Sequence, residues 1–319
     1  MTNESLFTYE LLDWINEDLL DWSVLSGNPN AIHLLEKNLG KIDWLCLSRN
    51  PSAVHLLERN LDKVDWQVLS KNPNAIHLLE KNIDMACWHN LSSNPNAVPL
   101  LEKNPEKISW GYISFNPNAT RLLEMNLDKV YWEIVCTNEN ATSLLENNIH
   151  AVADTLSLNP NAIPILRNNI HKICWYYLSS NPNAISLLEE HPSCIQWDIL
   201  SSNPNALHLL EQNEARICFK NLSRNSNPSA IRLLERNIHR KLDWWAISRN
   251  PNAINLLKKN QEKISWYSLS ENPSIFKKVI NYKYLTEKMN IIREELAMKC
   301  MHPRRLDRWI EMGGDIDSF

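Results

Sequence analysis

The stretch "LSKNPNAIHLLEKN", Leu69 to Asn82, returns as "LSSNPNAVPLLEKN" from Leu91 to Asn104. Aligned on the asparagine that precedes proline, the phrase recurs at Asn28, Asn50, Asn72, Asn94, Asn116, Asn138, Asn159, Asn181, Asn203, Asn227, Asn250 and Asn272. The step is 22 residues, shortening to 21 before Asn159 and stretching to 24 and 23 around Asn227. No other feature constrains the fold so strongly. A unit this short cannot bury an apolar face alone, so consecutive units must stack and share one continuous core.

The consensus reads W-x-x-L-S-x-N-P-N-A-I-x-L-L-E-x-N-x-x-K-I-x. Its second half predicts a helix. The residue before proline is driven to extended backbone, and proline suits the first helical position, where no N–H is needed. Ala31, Leu34 and Leu35 then share one face, with Ile32 widening it, while His33, Glu36 and Lys37 point away. Asn38 stands where a left-handed residue would end the helix, and only His191 breaks that rule among eleven units. The first half predicts a shorter helix, capped by Asp21, Asp43, Asp65 and Asp243 or by Ser109 and Ser265. Ser48 and its equivalents leave room for the next helix. Helices of about seven and nine residues are too short to stand alone.

The aromatic position holds Trp22, Trp44, Trp66, Trp88, Trp110, Trp132, Trp175, Trp197, Trp244 and Trp266, with Ala153 and Phe219 as replacements. A tryptophan wedged between units buries about 200 Å² of indole, an upper limit of about 5 kcal/mol at about 25 cal/mol per Å². Ala153 coincides with the short step and with Glu139 in place of proline, so residues 138–158 read as a weak joint. "SRNSNPSA", Ser223 to Ala230, carries two extra residues that should bulge out as a loop.

Composition narrows the classes. Net charge is −4, which does not suit a long phosphate-neutralising surface. Five glycines among 319 residues argue against phosphate-cradling loops and turn-rich β folds. No basic-then-apolar leader opens the chain and no apolar run is long enough to span a bilayer. Seven scattered cysteines, none in a C-x-x-C pair, suit free thiols in a reducing compartment. A leucine-rich β horseshoe shares the period, and "WLCLSRN" imitates its strand. "WQVLSKN", "WHNLSSN" and "WEIVCTN" do not keep the alternation, and proline after asparagine favours helix.

The N-P-N segment followed by an aliphatic helix resembles the bacterial leucine-rich variant repeats, which pair an α-helix with a 3₁₀-helix. The "NPNAIHLLEKN" block is also similar to tandem-repeat proteins encoded by large DNA viruses of amoebae, of the mimivirus and marseillevirus type. So is the ending "IIREELAMKCMHPRRLDRWIEMGGDIDSF", with its H-P-R-R-L and terminal G-x-D-x-x-x-F. The resemblance implies a viral protein in the cytoplasm of the infected cell. It implies no biochemistry.

Catalytic signals are few. His33, His55 and His77 repeat at one position, but packed helices lie about 8–10 Å apart while Zn–N bonds need about 2.0–2.1 Å. The glutamate row Glu36, Glu58, Glu80, Glu102 and Glu124 offers no unique cleft. G-x-S-x-G, H-E-x-x-H and Walker patterns are missing, so no catalytic, cofactor or metal site is expected. What varies is the position after the tryptophan: Leu45, Gln67, His89, Gly111, Glu133, Tyr176, Asp198, Lys220, Trp245 and Tyr267. A constant framework presenting a changing row is how stacked repeats offer a binding surface. Tyr176, Tyr177, Trp245 and Tyr267 add aromatic anchors, and Arg304, Arg305 and Arg308 form a basic cluster near the end.

The expectation is therefore an all-α, right-handed α-solenoid of about twelve 22-residue helix-turn-helix repeats over 21–280. It forms an elongated spine without a central pocket, closed off by helical caps at 1–20 and 281–319. In the C-terminal cap a first helix stops at Met301-His302, a second opens at Pro303, and Gly313-Gly314 breaks it. It serves as a non-catalytic scaffold gripping a protein partner along one face. A single-stranded nucleic-acid binder is the alternative, disfavoured by the acidic balance. The chain reads as a monomer without membrane attachment, resident in the cytoplasm.

Overall fold

A computed structural model of the chain describes residues 6–300 and 302–312. These fall into two compact units, Leu11–Phe276 and a pair of terminal segments, residues 6–10 with the described residues from Lys277 onward. The all-α repeat architecture is present. Most of the 22-residue units of the larger body fold as a first helix, a tight turn, a second helix and a single 3₁₀ turn, while the twelfth runs from its first helix, Trp266–Glu271, through a 3₁₀ turn into the strand Phe276–Ile280. In the first unit these are α1 (Trp22–Ser26), α2 (Ile32–Lys37) and the turn Leu39–Lys41. Both helices are shorter than predicted, because the asparagine-proline segment forms a turn of its own ahead of the second helix. Asn28 Oδ1 accepts the Asn30 N–H at 3.0 Å, which makes that turn.

Asp21 caps α1 by accepting the Val24 N–H at 3.0 Å, and Asp43, Asp65, Asp243 and Ser265 repeat the bond. Ser109 makes no such bond. The second helix does not end in left-handed backbone. Asn38 sits at φ −131°, ψ 46°, and its amide donates to the Leu34 carbonyl at 3.0 Å. The asparagine is used for its side-chain donor, which satisfies a carbonyl that the helix end leaves open. His191, the exception, lies with its ring 5.0 Å from that of Trp175.

Two buried polar side chains join each unit to the one before. Asn50 Nδ2 donates to the carbonyls of Ser26 and Asn28, both at 3.0 Å. Asn72, Asn94, Asn116, Asn138, Asn159, Asn181, Asn203, Asn225 and Asn272 each make the same pair. Asn250 keeps one of the two, to Asn225. The serine behind each asparagine is a relay. Ser26 Oγ donates to Trp22 O at 2.7 Å and accepts the N–H of Asp43 at 3.0 Å. The recurrence of serine along the chain thus reflects its hydroxyl, not merely its small size. Cys136 substitutes at one joint, its sulfur accepting the Ala153 N–H at 3.4 Å.

The ladder has no end. Asn28 donates to the carbonyls of Ser270 at 3.0 Å and Asn272 at 3.2 Å, and the Asp21 N–H reaches Ser270 Oγ at 2.9 Å. Asn30 likewise reaches the Pro273 carbonyl at 3.0 Å. The first unit therefore treats the last as its predecessor, and the repeat body closes on itself. The expected elongated spine with two capped ends is corrected: the outermost repeats of the array cap each other.

Four further expectations change. Asn225, not Asn227, is the ladder residue, so the steps are 22 and then 25. The extra residues of "SRNSNPSA" do not bulge. They extend the second helix to Pro228–Arg236, with Asn227 at its N-cap. The tryptophans are not the buried wedges. Trp66, Trp88 and Trp110 are half-buried, and the fully enclosed side chains are leucines such as Leu47, Leu57, Leu69 and Leu79. A cation from the same unit covers the outer face of the indole: Lys41 lies 4.3 Å from the Trp22 ring, Lys107 4.7 Å from Trp88 and Lys129 4.8 Å from Trp110. Residues 138–158 keep the ladder, but the first helix there becomes the 3₁₀ segment Asp154–Leu158.

In the smaller unit the predicted N-terminal helix is instead a strand. β1 (Phe7–Leu11) pairs with β2 (Phe276–Ile280). "FTYEL" alternates in the two-residue period of a strand. A helix over Tyr282–Cys300 follows, and a second over Pro303–Glu311 opens at the expected proline. Met301 and Gly313-Gly314 lie outside the described residues.

Candidate partner-binding face

First helices of consecutive units pack directly on one another at most joints, including α1 on Trp266–Glu271 across the closure. Second helices approach their neighbours less closely. In a closed body the layer with the tighter spacing is the inner one, so the first helices form the inner layer. The position after the tryptophan lies on the open side of that layer. Leu45, Gln67, His89, Glu133, Tyr176, Asp198, Lys220, Trp245 and Tyr267 are all exposed, and Gly111 is half-buried. Tyr177, one residue further on, is half-buried with its ring edge-on to Tyr176 at 5.6 Å.

Sequence reasoning missed the companion row four residues later, which includes Arg49, Lys71, Phe115, Arg224 and Arg249. Positions i and i+4 share a helix face, and that spacing was the available signal. Phe115 is 55% exposed, and Tyr112 and Tyr131 nearby in the chain are exposed too. The His89 and Tyr112 rings meet edge-to-face at 5.8 Å. A side chain at Gly111 would touch the Tyr131 ring at 3.8 Å, so glycine there leaves room around that ring.

Closure rearranges the charges. Lys220, Arg224 and Arg249 stand late in the chain and Arg49 and Lys71 early, yet they flank the seam where last and first units meet. Glu133, Asp154 and Asp198 occupy the far arc. At the seam a cavity of about 510 Å³ is lined by Asp21, Ser23, Cys46, Arg49, Tyr267 and Glu271, with Arg249 beside them. Arg249 Nε forms an ion pair with Glu271 Oε2 at 2.6 Å, and its guanidinium lies 6.0 Å from the Trp245 ring. Burial pushes the Cys46 thiol above its ordinary range, which keeps it a neutral thiol.

The outer histidine and glutamate rows meet across units: His55 Nε2 lies 3.0 Å from Glu36 and His77 Nε2 2.6 Å from Glu58. Among the described residues no three His, Cys, Asp or Glu side chains gather in a metal-ligating group, and no helix is long and apolar enough to cross a membrane. Arg304, Arg305 and Arg308 are exposed on the Pro303–Glu311 helix of the smaller unit and are not part of the first-helix rows. No known protein family, curated protein or solved structure matches the chain.

Proposed function

We propose that the protein is a non-catalytic scaffold that grips a protein partner along the inner rows of first helices. The carrying observation is the contrast between a ladder that repeats at nearly every joint and an exposed row on it that does not repeat. A rigid backbone fixes the row's geometry and so lowers the ordering cost of binding. Trp245, Tyr267 and Tyr176 are the anchors, since exposed aromatics on a rigid frame concentrate binding energy. Arg224 and Arg249 of the basic arc are ion-paired to Asp243 and Glu271, so Arg49, Lys71 and Lys220 are the cations there that favour a partner presenting acidic residues.

The test is affinity capture from the native cellular extract with the intact chain and with Tyr176→Ala, Trp245→Ala and Tyr267→Ala combined. Loss of a specific captured protein, with helicity unchanged, supports the reading; unchanged recovery of every partner defeats it. A single-stranded nucleic-acid binder is the second reading, drawn from the stacked aromatics and the basic arc. The acidic arc from Glu133 to Asp198 opposes it. Binding of RNA that weakens steeply with added salt would put this reading first. The resemblance of the repeated block to viral tandem-repeat proteins supports placing the protein in infected-cell cytoplasm.

A further inference from the structure

The Tyr282–Cys300 helix carries an apolar stripe that the described residues leave largely exposed, only Leu285 being half-buried. Met289 is 49% exposed, Ile292 47% and Leu296 54%. The stripe has heptad spacing. Tyr282, Met289 and Leu296 fall at one core position, and Leu285, Ile292 and Lys299 at the other, separated by alternating threes and fours. A surface helix lying on its own domain has a wider stripe with a 3.6-residue period.

We propose that this helix binds the same helix of a second copy of the chain, antiparallel, as a two-stranded coiled coil. The flanking charges choose both occupant and direction. In an antiparallel pair the two core positions face each other across the axis. Met289 of one copy then meets Ile292 of the other, Leu296 meets Leu285, and Tyr282 meets Lys299. That register sets Lys288 of each copy opposite Glu295 of the other, on both sides of the two-fold axis. Every apolar core residue finds an apolar partner, and the terminal layer places a lysine against an aromatic ring. Parallel packing would instead set Lys288 against Arg293 of the second copy, a like-charge contact in each half. Among the described residues no ion pair engages Glu295 within one copy, while Lys288 Nζ rests 5.6 Å from the Tyr284 ring. A two-fold pair uses one surface twice, so the seam satisfies itself without a different protein.

The register gives a test that an unrelated partner could not pass. Lys288→Glu alone sets glutamate against Glu295 twice, and Glu295→Lys alone sets lysine against Lys288 twice. Light scattering on the full chain should show a concentration-dependent dimer for the native protein. Each single variant should weaken it by roughly tenfold or more. An equimolar mixture of the two variants should recover the dimer as a heterodimer, since every facing pair is then opposite in charge. Ile292→Asp, which places a charge in the central layer, should give monomer with circular dichroism unchanged. A native chain that stays monomeric at all attainable concentrations would falsify the proposal. So would a dimer indifferent to both charge reversals, or single variants whose mixture fails to associate.

Discussion

One asparagine does three things at each joint. Its carbonyl oxygen makes the turn before the second helix, and its amide closes two carbonyls of the preceding unit. It does this while buried, where an unpaired amide or carbonyl costs about 1–3 kcal/mol. Asn94→Ala removes the donor for Ser70 O and Asn72 O and the acceptor for Asn96 N–H. We expect a loss of about 3 kcal/mol or more, read as a lower urea midpoint. Leucine would fill the volume and leave the same groups unpaired, so it should not rescue. A second prediction concerns acid. The Cys46 N–H, with help from the Ser23 hydroxyl, holds the Asp43 carboxyl below its usual range, against the opposing pull of burial. A depressed folded value means the stabilisation is present above the unfolded carboxylate's pKa of about 3.9 and is lost as pH falls through the folded value. The urea midpoint of Asp43→Ala should therefore lie below that of the native chain near neutrality, and the gap should narrow in strong acid. A gap independent of pH would mean the carboxylate's charge is irrelevant.

At the scale of the element, helices of four to six residues persist because every end is tied to a neighbour. The seventh unit shows what happens when ties are lost. Ala153 stands at the cap position rather than the tryptophan's, with Asp154 opening the helix where other units have the indole; Cys136 supplies a sulfur where other joints have a hydroxyl, and the first helix relaxes to 3₁₀ geometry. Cys136→Ser should shorten the contact to the Ala153 N–H and raise stability by about 0.5–1 kcal/mol, measured by urea unfolding. The native Cys136 is fully buried and its thiol is pushed up by that burial, so alkylation should await unfolding. Much at this scale was legible. Asp21 and Asp43 announce their helices, Pro303 opens the last one, and the row from Leu45 to Tyr267, Gly111 apart, is exposed as its spacing implies. Three things were not. Asn227 looked like the ladder residue because proline follows it, whereas Asn225 keeps the 22-residue distance. Tryptophan looked like the filler because it is large, but a lysine side chain can cover an indole at the surface as well as a neighbouring unit can. The strand "FTYEL" was absorbed into a helical reading of the segment around it.

At the scale of the molecule, a period reveals that units stack but not how much each turns relative to the last. That angle comes from the difference in spacing between the inner and outer helix layers. Here it brings the twelfth unit back to the first, with the same bonds used at other joints. An open array has ends that fray, since a terminal unit has one neighbour instead of two. A closed one has none, and hydrogen exchange reads the difference directly. The Asp21 N–H, bonded to Ser270 Oγ at 2.9 Å, is equivalent to those of Asp43 and Asp65, bonded to Ser26 and Ser48 at 3.0 Å. If the body is closed, all three amides exchange only through a shared, high-energy opening, and their protection is alike. Ser270→Ala should then unprotect Asp21 while leaving Asp65 slow. In an open array Asp21 would exchange with the fast amides of a terminal unit even in the native chain, and Ser270→Ala would change nothing there. Rapid exchange at Asp21 beside slow exchange at Asp65 would return the protein to an open solenoid and separate the two halves of the basic arc.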